Sequence, residues 1–122
     1  MELVDTSIPS EDQEQMAFVQ WFRRNYGGVL IFAIPNGGHR HPAVAAKLNA
    51  TGTVAGIPDL FIPEWRLWVE MKRVKGGKVS QAQQDIMDHL ESIDYWVLVA
   101  KGADDAKIKI LDFCKNVRAF HE

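Results

Sequence analysis

The sequence predicts a single α/β domain, built on a mixed central sheet of about four strands flanked by helices. Three observations predict it. Apolar residues recur at helical spacing in some segments and alternate or run continuously in others. Two extended segments, 57–62 and 66–74, are joined by a short turn and so pair as a hairpin. The remaining strands are reached through helical crossovers, which mixes antiparallel with parallel pairing.

The elements follow in order. Residues 1–10 read as a flexible lead-in, 11–115 as the folded domain and 116–122 as a tail. Ser10-Glu11-Asp12-Gln13 has the form of a capping box, with Ser10 as N-cap and Gln13 three residues on. The helix it opens runs to about Tyr26 and buries Phe18, Trp21 and Phe22, one stripe at i, i+3 and i+4. Gly27-Gly28 ends it. Val29 to Ile34 is a continuous apolar run and predicts a buried central strand. Pro42 suits the first turn of a helix to about Ala50. In the strand 66–74, Leu67, Val69 and Met71 share one face while Trp68, Glu70 and Lys72 share the other. Ser80 and Gln83 form a second capping box, opening a helix to about Ser92. Tyr95 to Ala100 predicts another buried strand, and Asp104 to about Lys115 a final helix. Of the four Trp, Trp65 is expected to be the exposed one, because it sits at a turn. Gly52 and Gly56 are expected to serve backbone geometry.

The chain of 122 residues is long enough for one core without disulfides. Its aromatic content argues against disorder. The single cysteine, Cys114, excludes an internal disulfide, and no Cys/His spacing suits zinc. No basic-then-apolar leader and no membrane-spanning run is seen, so a reduced, intracellular and cytoplasmic setting without a membrane is expected. The net charge is -2, but it is unevenly spread. Acids are absent from Gln15 through Pro58, where Arg23, Arg24, Arg40 and Lys47 lie. Lys72, Arg73, Lys75 and Lys78 form a second basic cluster. A basic face on a mildly acidic protein is compatible with phosphate binding.

The chemistry gathers at Pro58-Asp59, then ten residues, then Glu70-Met71-Lys72. Carboxylates on neighbouring strands of a hairpin can converge on one divalent cation, and oxygen ligands suit Mg2+ or Mn2+. Lys72 projects from the same side of its strand as Glu70, beside that cation, where it can orient water or neutralise charge on a phosphate. Two charges on an otherwise apolar strand cost free energy unless paired or functional. Gln83 has two readings that are compatible: capping-box partner of Ser80, and water- or phosphate-orienting group. Glu11 and Glu14 each lie at an edge of the first helix's buried stripe, and either can supply a third carboxylate. Asn36, Gly37 and Arg40, in a glycine-rich polar loop, suit a phosphate backbone.

With these residues in hand, the chain resembles the VRR-NUC domain, a branch of the PD-(D/E)XK nuclease superfamily with a restriction-endonuclease-like fold. The matching stretches are Ile34-Pro35-Asn36-Gly37-Gly38, Arg40, Ala46-Lys47-Leu48, Gly52 and Gly56-Ile57-Pro58-Asp59-Leu60. Glu70-Met71-Lys72, Ser80-Gln81-Ala82-Gln83 and Val97-Leu98-Val99 complete them, from about Glu11 to Phe113. The resemblance implies a Mg2+- or Mn2+-dependent DNA endonuclease. It implies Asp59 and Glu70 as metal ligands, Lys72 as catalytic lysine, Gln83 as motif glutamine and a first-helix glutamate, for which Glu11 is the better match and Glu14 the fallback. The metal set expected is Asp59, Glu70 and the backbone carbonyl of Met71. Asn36, Gly37, Arg40, Lys47, Arg73, Lys75 and Lys78 are the expected DNA contacts. Stand-alone members of this size resemble bacterial and phage proteins that act as homodimers on branched or structured DNA, so duplex or branched DNA and a second copy are the expected partners. Two other functions are weighed against this one. A non-catalytic DNA-binding module would keep the basic residues but would not need Asp59, Glu70 and Lys72. A partner-binding domain would leave the Glu70/Lys72 pair unexplained.

Overall fold

The computed structural model describes residues 8–35 and 41–118. The elements are α1 (Glu11–Asn25), β1 (Phe32–Ala33), α2 (Pro42–Ala50), β2 (Leu60–Ile62), a 3-10 turn (Pro63–Trp65), β3 (Leu67–Lys72), α3 (Gln81–Ser92), β4 (Trp96–Lys101) and α4 (Ala103–Phe113). A π-helical turn, Cys114–Arg118, continues α4. The sheet order is β1-β2-β3-β4. β1 and β2 pair antiparallel, as do β2 and β3, whereas β3 and β4 run parallel. The expected mixed four-strand α/β fold is therefore present.

The period-2 reading of β3 sets the layers. Leu67, Val69 and Met71 face a core made with Phe18 and Phe22 of α1 and Ala103, Ala106, Ile110 and Phe113 of α4. Each large apolar side chain so buried contributes about 1.5–3 kcal/mol. Trp68, Glu70 and Lys72 face the other way, where α3 packs against β4. Both expected capping boxes are formed. Ser10 Oγ accepts from Gln13 N, and Ser80 Oγ accepts from Gln83 N, each at 3.1 Å. Gly52 and Gly56 adopt φ values of 109° and 91°, a region that suits glycine.

Two expectations are corrected. The run Val29–Ile34 is not a buried central strand. Its strand is only Phe32–Ala33, at the sheet edge, and both residues are exposed. The backbone of the preceding residues is satisfied off the sheet. Val29 N donates to the Tyr26 carbonyl, Leu30 N to the Glu64 carboxylate, and the Ile31 carbonyl accepts from Arg23 Nη2. Ile31 alone of this stretch enters the core as a fully buried side chain. Trp65 is also not the exposed tryptophan. It is only 7% exposed, because the 3-10 turn folds its ring against Phe22, Tyr26 and Phe113. Trp96, on the edge strand β4, is 45% exposed instead. That edge position also leaves most of β4 half-buried, with Ala100 alone fully buried.

Glu14, the fallback for the first-helix carboxylate, takes another part. Its buried carboxylate accepts from Ala103 N at 3.2 Å. The N-cap of α4 is Gly102, which has no side chain to offer, so a glutamate from α1 caps α4. Glu14→Ala should destabilise the protein by about 1–2 kcal/mol in chemical denaturation, as loss of a helix cap does. Its affinity for a divalent cation should stay unchanged. A loss of cation affinity without loss of stability would reverse this assignment.

Candidate metal centre

Four elements bring the centre together, and β3 supplies its middle. Glu70 and Lys72 sit on one face of the strand, both almost completely buried. Lys72 Nζ lies 3.2 Å from Glu70 Oε2. From the first turn of α3, Gln83 Nε2 donates to the same Oε2 at 2.9 Å, while Gln83 Oε1 accepts from Lys72 Nζ at 2.8 Å. The glutamine therefore spans the ion pair. The other oxygen, Glu70 Oε1, is buried without a hydrogen-bond partner. An unpaired buried acceptor carries a desolvation cost that a ligand would remove.

Asp59 is placed by the end of the β2–β3 ladder. It lies one residue before β2, and its carbonyl accepts from Ile34 N, which extends the β1 side. Continuing the register Leu60↔Val69 sets Pro58 opposite Met71. Proline has no N–H to give the Met71 carbonyl. The Asp59 side chain takes over on the other half of that pair: Oδ2 accepts from Met71 N at 2.8 Å. So a residue whose side chain is in the core presents its backbone at the centre.

Glu11, in the first turn of α1, completes a cluster. One carboxylate oxygen from each of Glu11, Asp59 and Glu70 lies within 4.8 Å of the other two. Crowding of this kind opposes ionisation. Burial, and next the negative charge of Asp59, lifts the Glu70 carboxyl to about 7. The same two causes, in the same order, raise Glu11, and the positive charges of Lys72 and Arg73 oppose the rise. A divalent cation fits what is present: three converging oxygens, excess negative charge and an orphaned buried acceptor. The donors are all hard oxygens, which suit Mg2+ or Mn2+ rather than a thiolate-seeking metal.

The structure thus joins Glu11, Asp59, Glu70, Lys72, Gln83 and the Met71 backbone. It does not bring all of the expected DNA contacts to them. Lys47 is exposed on α2, and Arg73, Lys75 and Lys78 are exposed between β3 and α3. Asn36, Gly37 and Arg40 lie outside the described residues. The charge that Arg73 adds near Glu11 was not drawn from the sequence, because Glu11 lies on α1, far away along the chain. Pro58 was legible only as half of a motif, and its effect needs the strand register. A cavity of about 910 Å³, lined by Trp65, Arg66, Tyr95 and Trp96 among others, opens at the other end of β3. It shares no lining residue with the carboxylates.

Against known proteins, the chain is similar to a solved structure described as a VRR_NUC domain protein. The TM-score is 0.72 and the sequence identity 27%, covering 88% of this chain and 89% of that chain. No family model matches the sequence, and no curated protein matches it. Among the described residues, no helix is long and apolar enough to cross a membrane.

The raised Glu70 carboxyl makes stability depend on pH with a definite sign. Between its ordinary value of 4.5 and about 7, the folded metal-free protein holds a proton that the unfolded chain has released. Stability from this group is complete below that window and is lost as pH rises through about 7. Thermal unfolding of metal-free protein should show Tm falling from about pH 5 to about pH 8, with each kcal/mol worth roughly 4 °C. Glu70→Gln should flatten that slope. A Tm that rises across the window in the wild type would contradict the assignment.

Proposed function

We propose, from the premise that this chain is a VRR-NUC domain, that it is a divalent-metal-dependent deoxyribonuclease hydrolysing phosphodiester bonds. The observation that carries the reading is Glu70. Its buried carboxylate is fixed by Lys72 and Gln83 through one oxygen and left unpaired at the other, beside Asp59 and Glu11. A structural ion pair would need no unpaired oxygen and no second and third carboxylate.

Asp59, Glu70 and Glu11, with the Met71 carbonyl, would hold Mg2+ or Mn2+. When bound, such an ion polarises a phosphate oxygen and lowers the pKa of an attacking water. The remaining work falls to the protein's own groups. Lys72 presents a fixed ammonium to the phosphate, where charge develops as water attacks in line. Gln83 holds that ammonium and the Glu70 carboxylate in one orientation. Asp59 is locked by the Met71 N–H, so its carboxylate is pre-set rather than recruited. Exposed Arg73, Lys75, Lys78 and Lys47, together with Asn36, Gly37 and Arg40, contact the DNA backbone through charge and backbone amides.

The finer reading is an endonuclease selective for branched or structured DNA, working as a homodimer in the cytoplasm of a bacterial or phage-infected cell. The resemblance of the motif set supports it.

A labelled panel tests the function: linear duplex, single strand, flap, fork and four-way junction, each with Mg2+, Mn2+ or EDTA. Metal-dependent cutting is expected, greatest on the branched substrates. Asp59→Ala and Glu70→Ala should abolish it, and Lys72→Ala should slow it by about a hundredfold or more, as removal of a pre-placed charge does. Cutting by Glu70→Ala at the wild-type rate would overturn the mechanism. Salt-dependent DNA binding without cutting in any lane would favour a non-catalytic DNA-binding module.

A further inference from the structure

We infer that the first turn of α3 is the mount that sets the spacing of the carboxylate centre, with Ser80 and Gly56 as its positioning residues. The inference rests on the divalent-metal reading above and adds residues that touch neither metal nor substrate.

The centre has a gap in its support. The β2–β3 ladder stops at Leu60↔Val69, short of both Asp59 and Glu70. Beyond that point the Asp59 carboxylate meets β3 at the Met71 N–H. The first turn of α3 touches both sides of this gap.

On the β3 side the contact is Gln83. Its Oε1 accepts from Ser80 N at 2.9 Å and from Lys72 Nζ at 2.8 Å. Two donors on one oxygen decide which way the amide faces, because a flipped amide would set NH2 against an N–H and an ammonium. Nε2 is thereby directed to Glu70 Oε2. Ser80 Oγ accepts from Gln83 N at 3.1 Å and fixes the backbone that carries this side chain. The capping box is the same as that at α1, where Gln13 Oε1 accepts from Ser10 N. In α1 both members of the box are exposed. In α3 the box is extended inward to a buried ion pair.

On the β2 side the contact is Gly56, three residues before Asp59. A Cβ there would lie 2.5 Å from the Ala82 carbonyl oxygen, 2.7 Å from its carbon and 3.0 Å from Gln83 N. All three are backbone atoms, so no rotamer change relieves the overlap. The φ of +91° also disfavours any side chain. The segment leading to Asp59 therefore lies directly on the turn that carries Gln83. Moving that turn changes the distance between Asp59 and the Glu70–Lys72 pair.

The test compares wild type with Ser80→Ala, Ser80→Thr and Gly56→Ala. Mn2+ binding is read by titration calorimetry, the Tm of metal-free protein by circular dichroism, and kcat and KM on the best DNA substrate. Ser80→Ala should weaken Mn2+ binding about fivefold, the worth of one N-cap if transmitted to the site, and lower kcat with KM for DNA unchanged. Ser80→Thr, which keeps the cap oxygen, should restore both. Gly56→Ala should weaken Mn2+ binding by more than tenfold. Where Gly56→Ala does not fold, the serine pair decides. Wild-type Mn2+ affinity in Ser80→Ala, even with a lowered Tm, would make the box a helix cap only and overturn the inference. Wild-type protein that binds no Mn2+ would remove the metal reading itself, a different failure.

Discussion

A carboxylate shut away from water and held by one oxygen is the constraint on which the rest depends. Glu70 is 1% exposed, in a strand whose other face is core. Burying such a group is unfavourable unless each of its lone pairs is answered. Lys72 and Gln83 answer on one side. On the other side stand Asp59 and Glu11, which make the problem worse by adding negative charge. The arrangement is more stable with a proton or a cation, and the raised carboxyl of Glu70 reflects that preference.

The fold is arranged to hold this group in place. β3 is interior to the sheet, antiparallel to β2 and parallel to β4, so its path is fixed from both edges. Its odd-numbered residues anchor it in the α1/α4 core. Its even-numbered residues are then obliged to face α3. α1 contributes two glutamates with opposite duties. Glu11 joins the carboxylates, while Glu14, one turn on, caps α4. The same helix thus links the chemistry to the packing of the C-terminal element.

Much of the centre was legible in the sequence because it follows from strand alternation. Glu70 and Lys72 share a face in any register, and the hairpin spacing brings Asp59 alongside. Gln83 was legible as the capping-box partner of Ser80, and the same side chain also reaches Lys72 and Glu70. The choice between Glu11 and Glu14 was not open to periodicity. They are three apart on one helix, and what separates them is the start of α4, 89 residues away in the Glu14–Ala103 bond. Trp65 and the run Val29–Ile34 misled for a related reason. A turn residue and an apolar run report local character, whereas burial was decided by where the 3-10 turn folded and by which side chains took up the backbone of residues 29–31. The duties of Pro58 and Gly56 needed register and close approach, neither of which is written in residue type.

The central claim is that Glu11, Asp59 and Glu70 hold one divalent cation. The most direct test is a crystal grown or soaked with Mn2+, with anomalous diffraction measured near the manganese edge. The account predicts an anomalous peak at ligand distance from Glu70 Oε1 and from a carboxylate oxygen of Asp59. A map with no peak there, or with its peaks at other carboxylates while Glu70 Oε1 stays unpaired, would contradict it.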